Sequence, residues 1–223
     1  PGEHQSNAKY AAMVQSVDDS TAQIYAVLDE LNLTENTLII FTSDNGGLLG
    51  RNITSNLPLR SGKGYAYEGG IRVPLLVSWP STLPRGITSS LPTSSIDLFP
   101  TILDCANIPL PNDRPIDGLS LKEHLISSGS ATIARDHLLW HFPHYRHAPG
   151  PYSIIRQGDW KLIHFHEGID ELFDLKNDLG ETTNLAESHL EKVDLLKKRL
   201  FQSLEDQEAK LPKPNPDYRA PKA

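Results

Sequence analysis

Apolar residues recur at helical spacing near the start of the chain. Between Tyr10 and Leu31 they fall every three or four residues, which predicts an amphipathic helix of about five or six turns. Two apolar runs follow, at residues 37–42 and 73–79. Continuous rather than alternating apolarity is typical of strands covered on both faces, as in a parallel sheet. Helix followed by buried strand therefore predicts an α/β fold with a doubly wound sheet.

The second half of the chain has a different pattern of apolar residues. The segments "HLLWHF", "YSIIRQG", "WKLIHFH" and "ELFDL" are short and separated by turn-like pieces, which predicts an antiparallel sheet of three or four strands. A closing helix is predicted from about residue 187 to about residue 208 by spaced apolar positions, at Leu190, Val193, Leu195, Leu196, Leu200 and Leu204. We therefore predict two parts: residues 1–130 belong to the α/β sheet, and residues 131–223 form a smaller α+β subdomain with this helix and a proline-rich tail.

Composition narrows the possible partners. The 223 residues carry a formal charge of -7, which argues against nucleic acid because phosphate binding requires clustered Lys and Arg. No run of about 20 apolar residues occurs, so we expect no membrane span. The single cysteine, Cys105, excludes an internal disulfide framework.

The stretch "FTSDNGG" places two oxygen-bearing side chains at the end of a predicted strand. Ligands of open α/β sheets gather beyond the carboxyl ends of strands, and Asp44 and Asn45 lie there. Their hard oxygen donors suit Ca²⁺ or Mg²⁺. We expect Gly46 and Gly47 to adopt positive φ so that both side chains point one way. The alternative is a turn in which Asp44 and Asn45 only end the strand.

A second stretch, "LRSGKGYAYEGGIRVP", isolates one cation. Gly62 and Gly64 flank Lys63, and a single ammonium on a tight backbone suits a tetrahedral oxyanion such as sulfate or phosphate. The alternative is a surface lysine in a glycine loop. Glu68 and Arg72, further along, are predicted to form a buried pair that positions the loop.

These stretches, in this order, closely resemble the C-terminal half of the catalytic domain of type I sulfatases, in the alkaline-phosphatase-like superfamily. The resemblance continues through "SIDLFPTILDCANIPLP", "YSIIRQGDWKLI" and "ELFDLKNDLGETTNLA". It implies a sulfuric ester hydrolase in which Asp44 and Asn45 bind Ca²⁺ and Lys63 is a catalytic residue that contacts the sulfate. It also implies a sulfated small molecule or glycan as substrate, and a periplasmic or secreted location.

The nucleophile of that family has no counterpart here. The family uses a formylglycine made from Cys or Ser in a C/S-x-P-x-R motif, which is absent from this sequence, and Cys105 in "CANIP" is expected to be a core residue. The family's early metal ligands are also missing before Asp44. We therefore expect the chain to be part of a longer sulfatase. Alone it would be inactive, and an apolar face would await the N-terminal half as its partner.

Histidines recur in "WHFPHYRH", at residues 141, 144 and 147. A zinc site there is disfavoured because cysteine is absent and a proline interrupts the spacing. By the resemblance, this segment approaches the substrate pocket, and His141 or His144 is predicted to contact the sulfated substrate. The alternative is exposed loop histidines. His164 and His166 are predicted to be ordinary residues on one face of a strand.

Two other functions are compatible with these residues. One is a phosphoryl-transfer relative in the same superfamily, although two-zinc phosphatases would need His and Asp ligands at strand ends. The other is a non-catalytic module that binds sulfated glycans and retains Lys63 without the nucleophile. A C/S-x-P-x-R motif encoded upstream of Asp44 would identify the enzyme.

Overall fold

The computed structural model describes residues 7–50, 53–146 and 149–213, which group into two compact units. Unit 1 and unit 2 are each assembled from three segments. Unit 1 contains the described parts of Pro1–Asp44, Gly50–Ser55 and Val73–Arg135, and unit 2 those of Asn45–Leu49, Asn56–Arg72 and Asp136–Ala223. The proposed domain boundary after residue 130 stays a prediction. Most of the proline-rich tail lies outside the described residues.

The first predicted helix is confirmed as α1, Ala8–Glu30. It begins where the Asn7 side chain accepts a hydrogen bond from the backbone N–H of Tyr10 at 3.0 Å, an N-cap that satisfies a free donor of the first turn. None of its residues is buried: Met13 is 67% exposed and Ile24 59%. Its apolar stripe is therefore uncovered by the residues that the structure describes. No helix in the described ranges combines the length and apolarity needed to cross a membrane.

The two apolar runs form strands β1, Ile39–Thr42, and β2, Leu75–Ser78. They pair antiparallel, so the expectation that they belong to a parallel arrangement is wrong for this pair. Continuous apolarity is typical of parallel strands but does not fix the strand direction, which depends on how the two strands pair. Phe41 and Leu76 are 42% and 58% exposed, so this two-stranded sheet is also not covered on both faces by described residues.

Two further helices complete unit 1: α3, Leu98–Cys105, and α4, Lys122–Ile126. Ahead of α3, Ser94 and Asp97 form a reciprocal capping box. Cys105 is buried, which confirms it as a core residue, and burial raises the pKa of its thiol.

Unit 2 contains the predicted antiparallel sheet, and all four segments are strands. They are β3, Leu138–Phe142; β4, Tyr152–Gln157; β5, Trp160–Phe165; and β6, Ile169–Asp174. Each pairs with the next in chain order. The tight turn between β4 and β5 uses Gly158 at φ +59°, a conformation that glycine adopts without strain.

Both faces of this sheet are buried. Because successive side chains of a strand point to opposite faces, Ile154 and Ile155 belong to different cores. One face packs against α5, Leu190–Asp206. The other packs against Ala66 and its neighbours, just ahead of α2, Glu68–Ile71. The sheet therefore supports the glycine-rich stretch that contains Lys63.

Candidate functional site

The Asp44–Asn45 pair follows β1 as predicted. The Asp44 side chain is exposed, and no described residue hydrogen-bonds its carboxylate. Asn45 is half-buried and its Nδ2 donates to the carbonyl of Gly46 at 3.1 Å. The amide oxygen is the atom of the Asn45 side chain that has metal-ligand chemistry.

The glycines after the pair serve a different purpose from the one predicted. Neither Gly46 nor Gly47 has positive φ, so that expectation is wrong. A Cβ on Gly46 would come within 1.7 Å of the carbonyl oxygen of Gly69. The Gly46 N–H also donates to Gly70 O at 3.0 Å. Glycine is needed at 46 because two backbone segments lie in direct contact there.

The Lys63 loop is bonded to the residues that follow Asn45. The backbone N–H of Lys63 donates to Gly47 O at 3.1 Å. The Asn56 side chain joins the two segments: its Nδ2 donates to Gly47 O and to Ser61 O, both at 2.9 Å, and its Oδ1 accepts from Gly47 N–H at 3.0 Å. Unit 2 thus brings Lys63 and Asn45 into one pair of loops. Sequence reasoning missed Asn56, because nothing local marks it as a bridge.

The Lys63 side chain is half-buried. Within the part of the chain that the structure describes, no acceptor hydrogen-bonds its ammonium. The next residue, Gly64, has φ +90°, in the left-handed region that favours glycine. A partly desolvated ammonium without a protein acceptor is suited to holding an external anion.

The donor chemistry of Asp44 and Asn45 fits Ca²⁺, but their number does not complete a site. Ca²⁺ takes six to eight oxygen ligands. Across residues 7–50, 53–146 and 149–213, no group of three His, Cys, Asp or Glu side chains is arranged to hold a metal ion. His147, the third histidine of the disfavoured zinc site, lies outside the described residues.

The two predicted substrate histidines differ in their surroundings. His141 lies on β3, where its Nδ1 bonds Ser153 Oγ at 2.7 Å and its Nε2 bonds the carbonyl of Lys210 at 3.0 Å. His144 is exposed and packs edge-on against the ring of Phe142, with 5.2 Å between ring centroids. Of the two, His144 is the one that presents its ring at the surface.

His164 and His166 join His141 in a histidine cluster. His166 Nε2 bonds Ser153 Oγ at 2.9 Å, and His164 Nδ1 bonds Asp170 Oδ1 at 2.6 Å. The His166 ring lies 5.1 Å from that of His164 and 5.8 Å from that of His141. Burial, together with the neighbouring His164 and His141, lowers the pKa of His166 from 6.5 to about 4. The cluster is tied into the sheet by its own hydrogen bonds.

A buried charge cluster, formed by Glu68, Lys161 and Glu181, lies beneath the glycine-rich stretch. Lys161 Nζ bonds Glu68 Oε1 at 3.0 Å and Glu181 Oε1 at 2.7 Å. Burial raises the pKa of Glu181, and the Lys161 ammonium opposes that rise. The predicted partner Arg72 lies 3.7 Å from Glu68 but is half-exposed. Sequence reasoning missed Lys161, although a lysine inside the apolar strand "WKLIHF" was a usable signal.

Two family profiles together match residues 2–210 of the chain. A profile described as Sulfatase matches residues 2–108, and one described as N-sulphoglucosamine sulphohydrolase, C-terminal, matches residues 61–210. The chain is 37% identical over 196 residues to a Sulfatase of Formosa agariphila, covering 80% of this chain and 35% of the relative. It is 33% identical over 219 residues to an N-acetylglucosamine-6-O-sulfatase of Bacteroides thetaiotaomicron, covering 94% and 37%. The chain spans about a third of the length of these relatives.

Solved structures with a similar fold include two that contain carbohydrate. Ps i-CgsB in complex with k-i-k-neocarrahexaose has a TM-score of 0.75 and 30% identity, covering 93% of this chain and 44% of that one. BT4656 in complex with its substrate D-glucosamine-2-N,6-O-disulfate has a TM-score of 0.72 and 29% identity, covering 87% and 39%. A phosphonate monoester hydrolase from Silicibacter pomeroyi has a TM-score of 0.68 and 26% identity, covering 85% and 39%. These neighbours confirm the predicted alkaline-phosphatase-like α/β fold class.

Proposed function

Because the chain belongs to the type I sulfatase family, we propose that the whole protein hydrolyses a sulfate ester. The sulfatase relatives support this activity. The observation that carries the site assignment is the hydrogen bond from Lys63 N–H to Gly47 O at 3.1 Å. It ties the glycine-flanked lysine to a residue two positions from Asn45, so the Lys63 ammonium and the Asn45 amide belong to adjoining loops.

Each proposed residue has a chemical role. Asp44 and Asn45 supply hard oxygens as two of the ligands of Ca²⁺, which when bound contributes positive charge toward the sulfuryl oxygens. The Lys63 ammonium holds a sulfate oxygen and neutralises charge that develops there, more strongly in a half-buried position than in open water. The C/S-x-P-x-R motif that would yield formylglycine is absent from the 223 residues, so no nucleophilic role is assigned to this chain.

The proposed substrate is a sulfated sugar or another small sulfate ester. An N-acetylglucosamine-6-O-sulfatase among the relatives, and BT4656 with its glucosamine disulfate, support the sugar. For a contact at the substrate rim, exposed His144 is the better candidate, because both ring nitrogens of His141 are bonded within the protein. A periplasmic or secreted location stays a prediction from the family resemblance.

We also propose that further residues of the sulfatase catalytic domain cover the apolar surface of unit 1. The support is the exposure of Met13 and Ile24 on α1 and of Phe41 and Leu76 on the two-stranded sheet, at 67%, 59%, 42% and 58%. Burying such surface is favourable by about 25 cal/mol per Å². Under this proposal, the exposed apolar side chains of unit 1 are a binding surface for those further residues.

The test of the site is substitution in the whole protein. Asp44→Ala and Lys63→Ala should each lower kcat for an aryl sulfate ester by about 10²- to 10³-fold, because each removes charge from the site of the sulfate. Lys198→Ala, at an exposed position on α5, is the matched control and should retain activity. Near-wild-type turnover after either site substitution would refute the assignment.

A second candidate activity has a specific observation in its favour. Phosphonate monoester hydrolases of Silicibacter pomeroyi and Agrobacterium radiobacter share the fold at 26% identity, with TM-scores of 0.68 and 0.62. The whole protein should therefore be assayed with matched sulfate and phosphonate monoesters. A higher kcat/KM for the sulfate ester supports the sulfatase. Binding of a sulfated glycan with turnover of neither ester would identify a non-catalytic binding module.

A further inference from the structure

We infer that Lys161 is a positioning residue whose buried ammonium holds the base of the loop that carries Lys63. The inference rests on the proposed function, because it assigns Lys161 a task in the same site. It concerns unit 2 alone, which contains both lysines. Lys161 contacts no residue proposed to touch the substrate, so it acts through the loop.

The loop is closed at its base by the backbone. Gly69 N–H donates to Arg60 O at 2.8 Å, and Tyr65 N–H donates to Gly62 O at 3.0 Å within the loop. Lys63 therefore stands near the tip of a closed segment. A displacement of the loop's base would also displace Lys63, because the backbone between them is short and hydrogen-bonded to itself.

The C-terminal side of this base is held by the buried charge cluster. Lys161 Nζ reaches Glu68 Oε1 at 3.0 Å and Glu181 Oε1 at 2.7 Å. The second oxygen of Glu181 accepts from the backbone N–H of Glu68 at 2.6 Å. All three side chains are at most 3% exposed. Glu68 is thus fixed through both its side chain and its backbone at the start of α2.

The N-terminal side of the base is held through the same glutamate. The Arg60 guanidinium lies 3.8 Å from the ring centroid of Tyr67 and donates to the carbonyl of Glu181 at 2.8 Å. Glu181 therefore connects both ends of the loop. The remaining Glu68 oxygen, Oε2, has no hydrogen-bond partner among the described residues, and the guanidinium of Arg156 lies 3.8 Å from it.

Lys161 is the group on which this arrangement depends electrostatically. Its ammonium is shared by two buried carboxylates. Its removal leaves Glu181 with no ion-pair partner among the described residues, and Glu68 with the more distant guanidiniums of Arg72 and Arg156 at 3.7 and 3.8 Å. The carboxylates must then separate or take up a proton, and either change releases Glu68. A displacement of about 1 Å at a group that binds the reacting centre costs about 100-fold in rate.

The experiment is a double-mutant cycle in the full-length protein. Lys161→Met should lower kcat/KM for an aryl sulfate ester by about 100-fold per folded molecule, with the folded fraction measured by circular dichroism. In a Lys63→Ala background the same substitution should cost no more than about twofold, because the group it positions is gone. Lys63→Gln, which also removes the ammonium, replaces Lys63→Ala if the latter has no measurable turnover. Lys198→Met is the matched surface control.

Each result discriminates between the claims. An equal loss from Lys161→Met with and without Lys63 would show a merely structural role and overturn the inference. If Lys161→Met does not fold, Glu181→Gln decides, with an expected loss of about tenfold that disappears without Lys63; unchanged kcat/KM would overturn the inference. If Lys63→Ala is itself fully active, both the site assignment and the inference fail. If Lys63→Ala is impaired but the Lys161 and Glu181 variants are not, only the inference fails.

Discussion

His166 lies where protonation is costly. Its ring faces those of His141, His164 and Phe201, and its Nε2 bonds the hydroxyl of Ser153. Burial and the neighbouring histidines lower its pKa to about 4 from the ordinary 6.5. The nearest carboxylate of the cluster, Asp170, is already bonded to His164 and to Lys197. The folded state therefore holds His166 neutral.

This arrangement predicts how stability depends on pH. Between pH 6.5 and about 4 the unfolded chain binds a proton that folded His166 does not, so the free energy of unfolding should fall as pH decreases through that window. His166→Asn should flatten the dependence, whereas His144→Gln, at an exposed position, should not. Urea unfolding of the whole protein from pH 4 to 7.5 measures both slopes. Identical slopes in wild type and His166→Asn would contradict the assigned pKa.

Glycine is required for two different reasons in this chain: a close backbone contact at Gly46 and a left-handed conformation at Gly158. Gly46 was predicted to supply a left-handed turn, yet it is required because Gly69 O occupies the space of a side chain. Gly158 does supply the left-handed conformation, at φ +59° in the β4–β5 turn. The need for a left-handed residue in such a turn can be predicted from the neighbouring residues. The close approach at Gly46 depends on a segment more than twenty residues away.

At the scale of elements, α5 was predicted with nearly correct ends but too broad an apolar face. The helix runs Leu190–Asp206. Leu190 and Leu195 are 66% and 48% exposed. The buried positions follow three- and four-residue spacing along a single stripe, at Val193, Leu196, Leu200 and Leu204.

That stripe predicts contrasting effects of one substitution. Leu200→Ala should lower the free energy of unfolding by about 2–5 kcal/mol, because it leaves a cavity against Ile155 and Leu172 in a fully buried core. Leu195→Ala, one helix face away, should change it by about 0.5 kcal/mol or less. Chemical denaturation of the two variants measures the difference. Equal losses would mean that α5 packs by another face.

At the scale of the whole molecule, this chain is proposed to hold part of a catalytic site. The nucleophile motif is absent from the 223 residues, and Asp44 and Asn45 are proposed to provide two of the several oxygens that Ca²⁺ requires. The exposure of apolar residues on α1 and on the two-stranded sheet is explained by the same proposal, in which further residues of the catalytic domain cover them. Their cover and the remaining catalytic groups are proposed to come from one source.

The 223-residue chain produced alone should therefore not hydrolyse an aryl sulfate ester, with or without added CaCl₂. The whole protein should hydrolyse it, should lose activity in EGTA, and should regain activity when Ca²⁺ is restored. Steady-state assays at equal molar concentrations compare the two. Turnover by the isolated chain would show that these 223 residues include a nucleophile, and would contradict the proposal that they supply only part of the catalytic site.

The sequence by itself determined the elements and the family. The α1 repeat and the four strands of unit 2 each depend on residues a few positions apart, so local pattern predicts them. Only the tertiary structure decided the antiparallel pairing of β1 with β2, the bonds of His141, and the burial of Lys161. Lys161 and Glu181 meet Glu68 from 93 and 113 residues away. Whether such a charge is paired or solvated depends on chain segments that only folding brings together.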